Sequence, residues 1–121
     1  MRLRLLRERF SVCSTARLPS ADCKPFSAAL RDADGYTWAG PEECAPAAVE
    51  CRKGWRALEV EGPLPFELTG VLATLTAPLA EAGVSVFVLS TWATDVILFP
   101  EEKLEGALRA LEDAGHAIAP L

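Results

Sequence analysis

From Trp55 to Ala119 the apolar residues switch between the two-residue period of a strand and the 3.6-residue period of a helix, and few folds accept the resulting order. Trp55 to Val60 reads as a strand that Gly62 and Pro63 break. Leu68, Val71, Leu72, Leu75, Leu79 and Ala82 then recur at helical spacing from a start near Phe66, with the small residues Thr69, Ala73, Thr76 and Ala80 on another side. Gly83 stands where a left-handed residue ends a helix. Val84 to Thr91 is apolar at both alternating positions, which predicts a strand covered on both faces. Trp92 to Asp95 turns the chain, and Val96 to Phe99 is a further strand. Pro100, Glu101 and Glu102 suit the opening of a second helix, whose inward residues are Leu104, Ala107, Leu108 and Leu111 and whose end is Gly115. His116 to Ala119 forms the last strand. The order βαββαβ predicts an α+β, ferredoxin-like sandwich: four antiparallel strands in spatial order 4-1-3-2, with both helices on one face.

That topology makes a statement about position. The strand from Trp55 and the strand from Val84 run the same way, so the first helix start and the Ser90–Asp95 turn emerge at one edge of the sheet. The free backbone N–H groups around Glu67, Leu68, Thr69, Gly70 and Val71, at the positive end of the helix dipole, favour a carboxylate or phosphate, and Gly70 permits close backbone approach. Across the edge, Asp95 suits an ammonium or guanidinium group, Ser90, Thr91 and Thr94 supply hydroxyls, and Trp92 offers a face for an aliphatic chain or a cation. A zwitterion is satisfied at both ends by such an edge. The competing reading is structural: Ser, Thr and Asp are the residues with which any tight turn bonds its own backbone, and Gly70 then serves only helix-to-sheet packing.

The first half is plainer. Arg2, Leu3, Arg4 and Leu5 alternate as a half-buried strand; the phase slips near Arg7 and resumes at Phe10 and Val12, which predicts a bend or bulge. Pro19 to Pro25 is a loop. Phe26–Arg31 and Tyr36–Ala39 flank Asp32, Ala33, Asp34 and Gly35, a hairpin with glycine in a left-handed position. Pro41, Glu42 and Glu43 suit one helical turn, and Ala45 to Gly54 reads as a connector.

Composition narrows the function. With 121 residues, half of them apolar, the chain buries a real core as one domain or as two small ones sharing it. Twelve Lys and Arg against 17 acids, for a net charge of −5, disfavour nucleic acid as a partner. No stretch is long enough to span a membrane. Early arginines interrupt any signal peptide, so Cys13, Cys23, Cys44 and Cys51 are expected as free cytoplasmic thiols rather than as two disulfides. Without a CxxC pair they do not suggest zinc, and no other cofactor is implied. His116 has no Ser or Cys partner in a nucleophile motif and reads as a solvated residue at a helix end. The chain is not expected to be an enzyme.

The segment EGPLPFELTGVLATLTAPLAEAGVSVFVLSTWATDVILFPEEKLEGALRALEDAGH resembles the ACT domain, specifically small bacterial tandem-ACT proteins related to the cytosolic arginine sensors of animal nutrient signalling. LTGVLATLTAPLAEAGVSVFVLSTWATD is its most specific part, and RLRLLRERFSVC with GWRALEVEGPL resembles a degenerate N-terminal unit of the same family. The resemblance implies a degenerate ACT-like half over residues 1–54, an ACT domain over 55–121, a joint sheet and a non-catalytic regulatory or sensory role. It also implies a small ligand, an amino acid, contacted by Glu67 to Val71 and by the turn with Thr91, Trp92 and Asp95, with a homodimer rebuilding the interface on which the longer sensors rely. Ala93 and Val96 depart from the family pattern, which carries a polar and an aromatic residue there. The alternative function is a structural or protein-interaction module with a vestigial site, using the small helix face or an exposed sheet edge.

Overall fold

Gly54, which the sequence reading took as the end of a connector, instead sits inside a long strand, and that strand organises both parts of the molecule. The computed structural model describes every residue except 21, 49, 66 and 121, so Phe66, the expected helix opening, lies outside the described residues, as do single positions in the predicted loop and connector. Eight strands and two helices follow in order: β1 (Arg2–Leu5), β2 (Phe10–Thr15), β3 (Ala28–Asp32), β4 (Gly35–Pro41), β5 (Glu50–Val60), α1 (Val71–Glu81), β6 (Phe87–Ser90), β7 (Asp95–Pro100), α2 (Leu104–Asp113) and β8 (Ala117–Pro120). Single 3-10 turns at Glu42–Cys44 and Glu101–Lys103 stand where proline followed by two glutamates predicted a helical start.

The chain divides into two compact units, Glu8–Trp55 and Met1–Arg7 with Arg56–Leu121. The first seven residues therefore pack with the later unit. Strand β5 lends its opening residues to one unit and its last ones to the other.

In the larger unit the helices and strands meet as the apolar periodicity requires. Leu58 and Val60 of β5, Ile97 and Phe99 of β7 and Leu3 of β1 share a core with Leu75 and Leu79 of α1 and Ala107 and Leu111 of α2. The strand order is β8–β1–β5–β7–β6. Two expectations change here. Strand β1 lies between β5 and β8, antiparallel to the first and parallel to the second, so the four-strand order predicted from sequence gains an inserted strand. Arg2–Leu5 carries too little sequence signal to reveal its partner, since alternation fixes which face is buried but not which strand lies alongside. The strand buried at consecutive positions is β7, whereas β6 pairs, among the described residues, with β7 alone and stays half-buried. An apolar run discloses low polarity, not whether neighbours cover it.

Both helices end alike. Gly83 (φ 74°) and Gly115 (φ 96°) are left-handed, and their N–H groups donate to Ala80 O and Glu112 O at 3.0 and 2.9 Å. The next residues, Val84 and His116, donate to Leu79 O and Leu111 O at 2.9 and 3.0 Å, completing the paired bonds of a Schellman motif. The residue after the glycine faces inward in this motif. Hence Val84 is buried, and His116, expected in solvent, is only 8% exposed. Its Nδ1 lies 3.0 Å from the Met1 ammonium and its Nε2 3.0 Å from Thr74 O. An ammonium only donates, so Nδ1 accepts and the ring proton sits on Nε2, donating to the carbonyl of α1. The parallel stretches EAGV and DAGH were the signal that would have placed His116.

The smaller unit orders its strands β3–β4–β2–β5. The β3–β4 hairpin turns at Gly35, with φ of 130°, as expected. Between Phe10↔Trp55 and Val12↔Arg52 the register shifts, so β5 carries one extra residue there. Gly54, at φ 79°, is the positive-φ position of that bulge, and its N–H donates to Glu42 Oε2 at 2.6 Å. Phe10 and Trp38 supply the large buried side chains of this unit, helped by the Phe10–Phe26 ring contact at 5.5 Å.

The cysteines overturn the expectation of free thiols. Cys13 and Cys51 are paired in register across β2 and β5, with Cα atoms 4.1 Å apart, and form a disulfide; Cys23 and Cys44 form a second. Strand register sets Cys13 beside Cys51, a relation that the spacing of the cysteines in the sequence does not disclose. So small an apolar centre leaves a unit dependent on covalent staples.

Two outcomes check this account. Leu79→Ala removes a fully buried side chain from the larger unit and should lower its stability by about 2–5 kcal/mol in urea unfolding. Reduction with a phosphine should strip hydrogen-exchange protection from β2, β3 and β4 while leaving Leu75–Leu79 and Val96–Phe99 protected; equal loss in both units would contradict a stapled smaller unit.

Candidate functional site

Helix α1 begins later than its apolar stripe implied. The first intrahelical bond is Thr74 N–H to Gly70 O at 3.1 Å, so Val71 is the first helical residue, and Glu67 to Thr69 lie outside the helix. Gly70 is the N-cap with φ of 78°. A β-carbon there meets nothing within 4 Å, so Gly70 serves the left-handed backbone and not packing on the sheet. Among the described residues no side chain caps this end. The N–H groups of Val71, Leu72 and Ala73 precede the first helical donor and keep the positive end of the dipole.

The second element is the hairpin joining β6 to β7, closed by the register pair Ser90↔Asp95. Thr91 N–H and Oγ1–H both donate to Thr94 O, at 2.7 and 3.0 Å, and Thr91 Oγ1 accepts from Ala93 and Thr94 N–H at 3.3 and 3.1 Å. Thr94 Oγ1 donates to Val60 O at 2.6 Å, and Ser90 Oγ donates to Asp95 Oδ1 at 2.6 Å. The structural reading holds for Thr91, whose proton goes to the turn's own backbone, whereas the Ser90 proton goes to the Asp95 side chain and the Thr94 proton to β5. All three protons are engaged, which leaves the Asp95 carboxylate as the hairpin's charged group.

Helix start and hairpin open onto one crevice of about 220 Å³, lined by Leu64, Pro65, Leu68, Val71 and the hairpin residues Ser90 to Asp95. Of the residues singled out from sequence, it brings together Leu68, Val71, Ser90, Thr91, Trp92, Thr94 and Asp95; Glu67, Thr69 and Gly70 do not line it. Trp92 is 84% exposed and Leu68 49%, so apolar surface flanks the opening.

Sequence reasoning missed the segment that builds one wall. Leu64 N–H donates to Ala93 O at 2.8 Å, which ties the chain after β5 to the hairpin. A β-carbon on Gly62 would lie 3.0 Å from Ala93 O and 3.2 Å from Thr94 Cβ, so Gly62 is the glycine that close approach requires. In the sequence Gly62 and Pro63 signal only a strand break; the available signal for the wall is the Gly-Pro-Leu-Pro run, poor in N–H donors, beside a helix start. Val71, the first residue of α1, and Asp95 line the same small crevice, an arrangement that suits a ligand carrying both charges.

A family model described as the ACT domain matches residues 50–113, from the start of β5 to the end of α2. The chain belongs to the ACT domain family. The human cytosolic arginine sensor for mTORC1, subunit 1, is 32% identical over 66 residues, a match covering 54% of this chain and 20% of the sensor. This ACT protein thus corresponds to about a fifth of the length of that relative. Among solved structures, an Agrobacterium tumefaciens protein superposes with a TM-score of 0.88 at 27% identity, covering 99% of this chain and 92% of that one. The regulatory subunit of aspartate kinase from Thermus thermophilus superposes with a TM-score of 0.65 at 13% identity over 93% of this chain and 96% of that one, a likeness of fold.

Gly62→Ala should destabilise the protein by about 1–3 kcal/mol in chemical denaturation, because backbone must move to admit the methyl group. Thr94→Val, which removes the bond to Val60 O but keeps the shape, should cost about 1 kcal/mol. A neutral Gly62→Ala would show that the strand end and the hairpin are not held together as described.

Proposed function

We propose that this ACT protein is a non-catalytic regulatory or sensory module that binds a free amino acid in the crevice between the start of α1 and the Ser90–Asp95 hairpin. The observation that carries the reading is the meeting there of an uncapped helix N-terminus and the Asp95 carboxylate, across a space of about 220 Å³. The ligand carboxylate is received at the start of α1, where Val71 lines the crevice, and its ammonium by Asp95, which Ser90 orients. The arginine-sensing role named for the curated relatives supports the class of ligand. No cofactor enters the reading.

A homodimer belongs to the same proposal. Strand β6 is a sheet edge whose Phe87, Val88 and Leu89 carry no charge, and the outer face of α1 presents Ala73, Ala77 and Ala80. A second copy covers both and leaves the crevice mouth beside the interface. That edge also favours the second reading, an interaction module whose crevice is vestigial. Cytoplasmic placement follows the relatives' name, whereas paired cysteines favour an oxidising compartment, because cytosolic thiols are kept reduced. Alkylation of the protein in its own host, under non-reducing conditions, separates these.

A thermal-shift panel of the common amino acids tests binding: a ligand at one hundred times its dissociation constant adds about 2.7 kcal/mol to stability. Asp95→Ala should abolish the shift with little loss of fold. If no amino acid shifts the melting temperature while sedimentation shows a dimer, the interaction reading replaces the sensor.

A further inference from the structure

A second crevice of about 250 Å³ adjoins the first and is lined by Pro63, Leu64, Trp92 and Ala93. The two share Leu64, Trp92 and Ala93 as a common wall. We infer that the two crevices form one bipartite site, and that its ligand is an amino acid with an apolar or aromatic side chain. The inference rests on the amino-acid reading above and deepens it.

The argument is one of charge placement. Among the described residues, Asp95 is the one formally charged residue lining either crevice, and the helix start supplies the complementary partial charge. A zwitterionic head group engages both, and the rest of the ligand extends past Ala93 and Leu64 into the annex. There it meets proline, leucine, alanine and indole carbon, without an ionised side chain to neutralise a second charge. One backbone pair at the wall is already engaged, since Ala93 O accepts from Leu64 N–H at 2.8 Å. Reversing an arginine, with its guanidinium on Asp95, places its ammonium and carboxylate in the same apolar annex. Charged groups there give up part of their hydration with no ionised side chain to replace it. An alkyl or aryl group gains by leaving water for the annex. Trp92, 84% exposed beside it, supplies the large apolar surface that such a group covers.

Isothermal titration of the full chain with L-leucine, L-phenylalanine, L-alanine and L-arginine tests this. Leucine or phenylalanine should bind roughly tenfold or more tightly than alanine, and more tightly than arginine. In Trp92→Ala, the ratio of leucine to alanine affinity should fall toward one, whatever the change in alanine binding itself; Leu64→Ala, which shortens the shared wall, should reduce the same ratio. Arginine binding as tightly as leucine, alanine equalling leucine, or a preference untouched in both variants overturns the annex while leaving the amino-acid reading standing. Binding of none of the four by wild-type protein overturns the reading and the annex together.

Discussion

The apolar face shared by β1, β5 and β7 is the constraint on which the larger unit depends. Once Leu3, Leu58, Val60, Ile97 and Phe99 must be shielded, α1 and α2 have one place to go, with Leu75, Leu79, Ala107 and Leu111 against them. Two helices lying on one face then dictate where the connections emerge. The α1 start and the β6–β7 hairpin arrive at the same sheet edge because their strands run the same way. The crevice is thus a by-product of core burial, and its position does not rely on polar contacts. Polar contacts set its shape: Leu64 N–H to Ala93 O and Thr94 Oγ1 to Val60 O clamp the end of β5 against the hairpin.

Within the hairpin, structure and chemistry are divided among neighbouring side chains. The Thr91 and Thr94 hydroxyls saturate backbone groups of the turn and of β5, so they hold geometry. Ser90 fixes one oxygen of Asp95 and thereby turns a flexible carboxylate into an oriented one. A rigid turn carrying one oriented charge beside an uncapped helix is a pre-organised arrangement, with little ordering left to occur on binding.

The two units solve the stability problem by different means. The larger one has a layered apolar core closed by two Schellman ends, with His116 replacing at one of them the apolar residue that Val84 supplies at the other. The smaller one has few large buried side chains, chiefly Phe10 and Trp38, and adds two disulfides and a bulge capped by Glu42. Cross-linking restricts the unfolded chain and substitutes for missing core.

Much of this was legible in the sequence. Hydrophobic period located the bodies of α1 and α2 and the strands beside them, though not the ends of β5, α1 and β6, because burial on one face imposes a period that no other secondary structure shares. Glycine at the helix ends and at the Gly35 turn was equally readable, since only a residue without Cβ adopts those angles freely. The meeting of the helix start with Ser90–Asp95 followed from topology. What the sequence left undetermined were relations between residues far apart in the chain: the insertion of β1 between β5 and β8, the pairing of the cysteines, the inward turn of His116, and the approach of Gly62 and Leu64 to Ala93. Local pattern says which face a residue prefers. Only the folded chain decides what it touches there, because pairing and close approach are set by how whole elements pack.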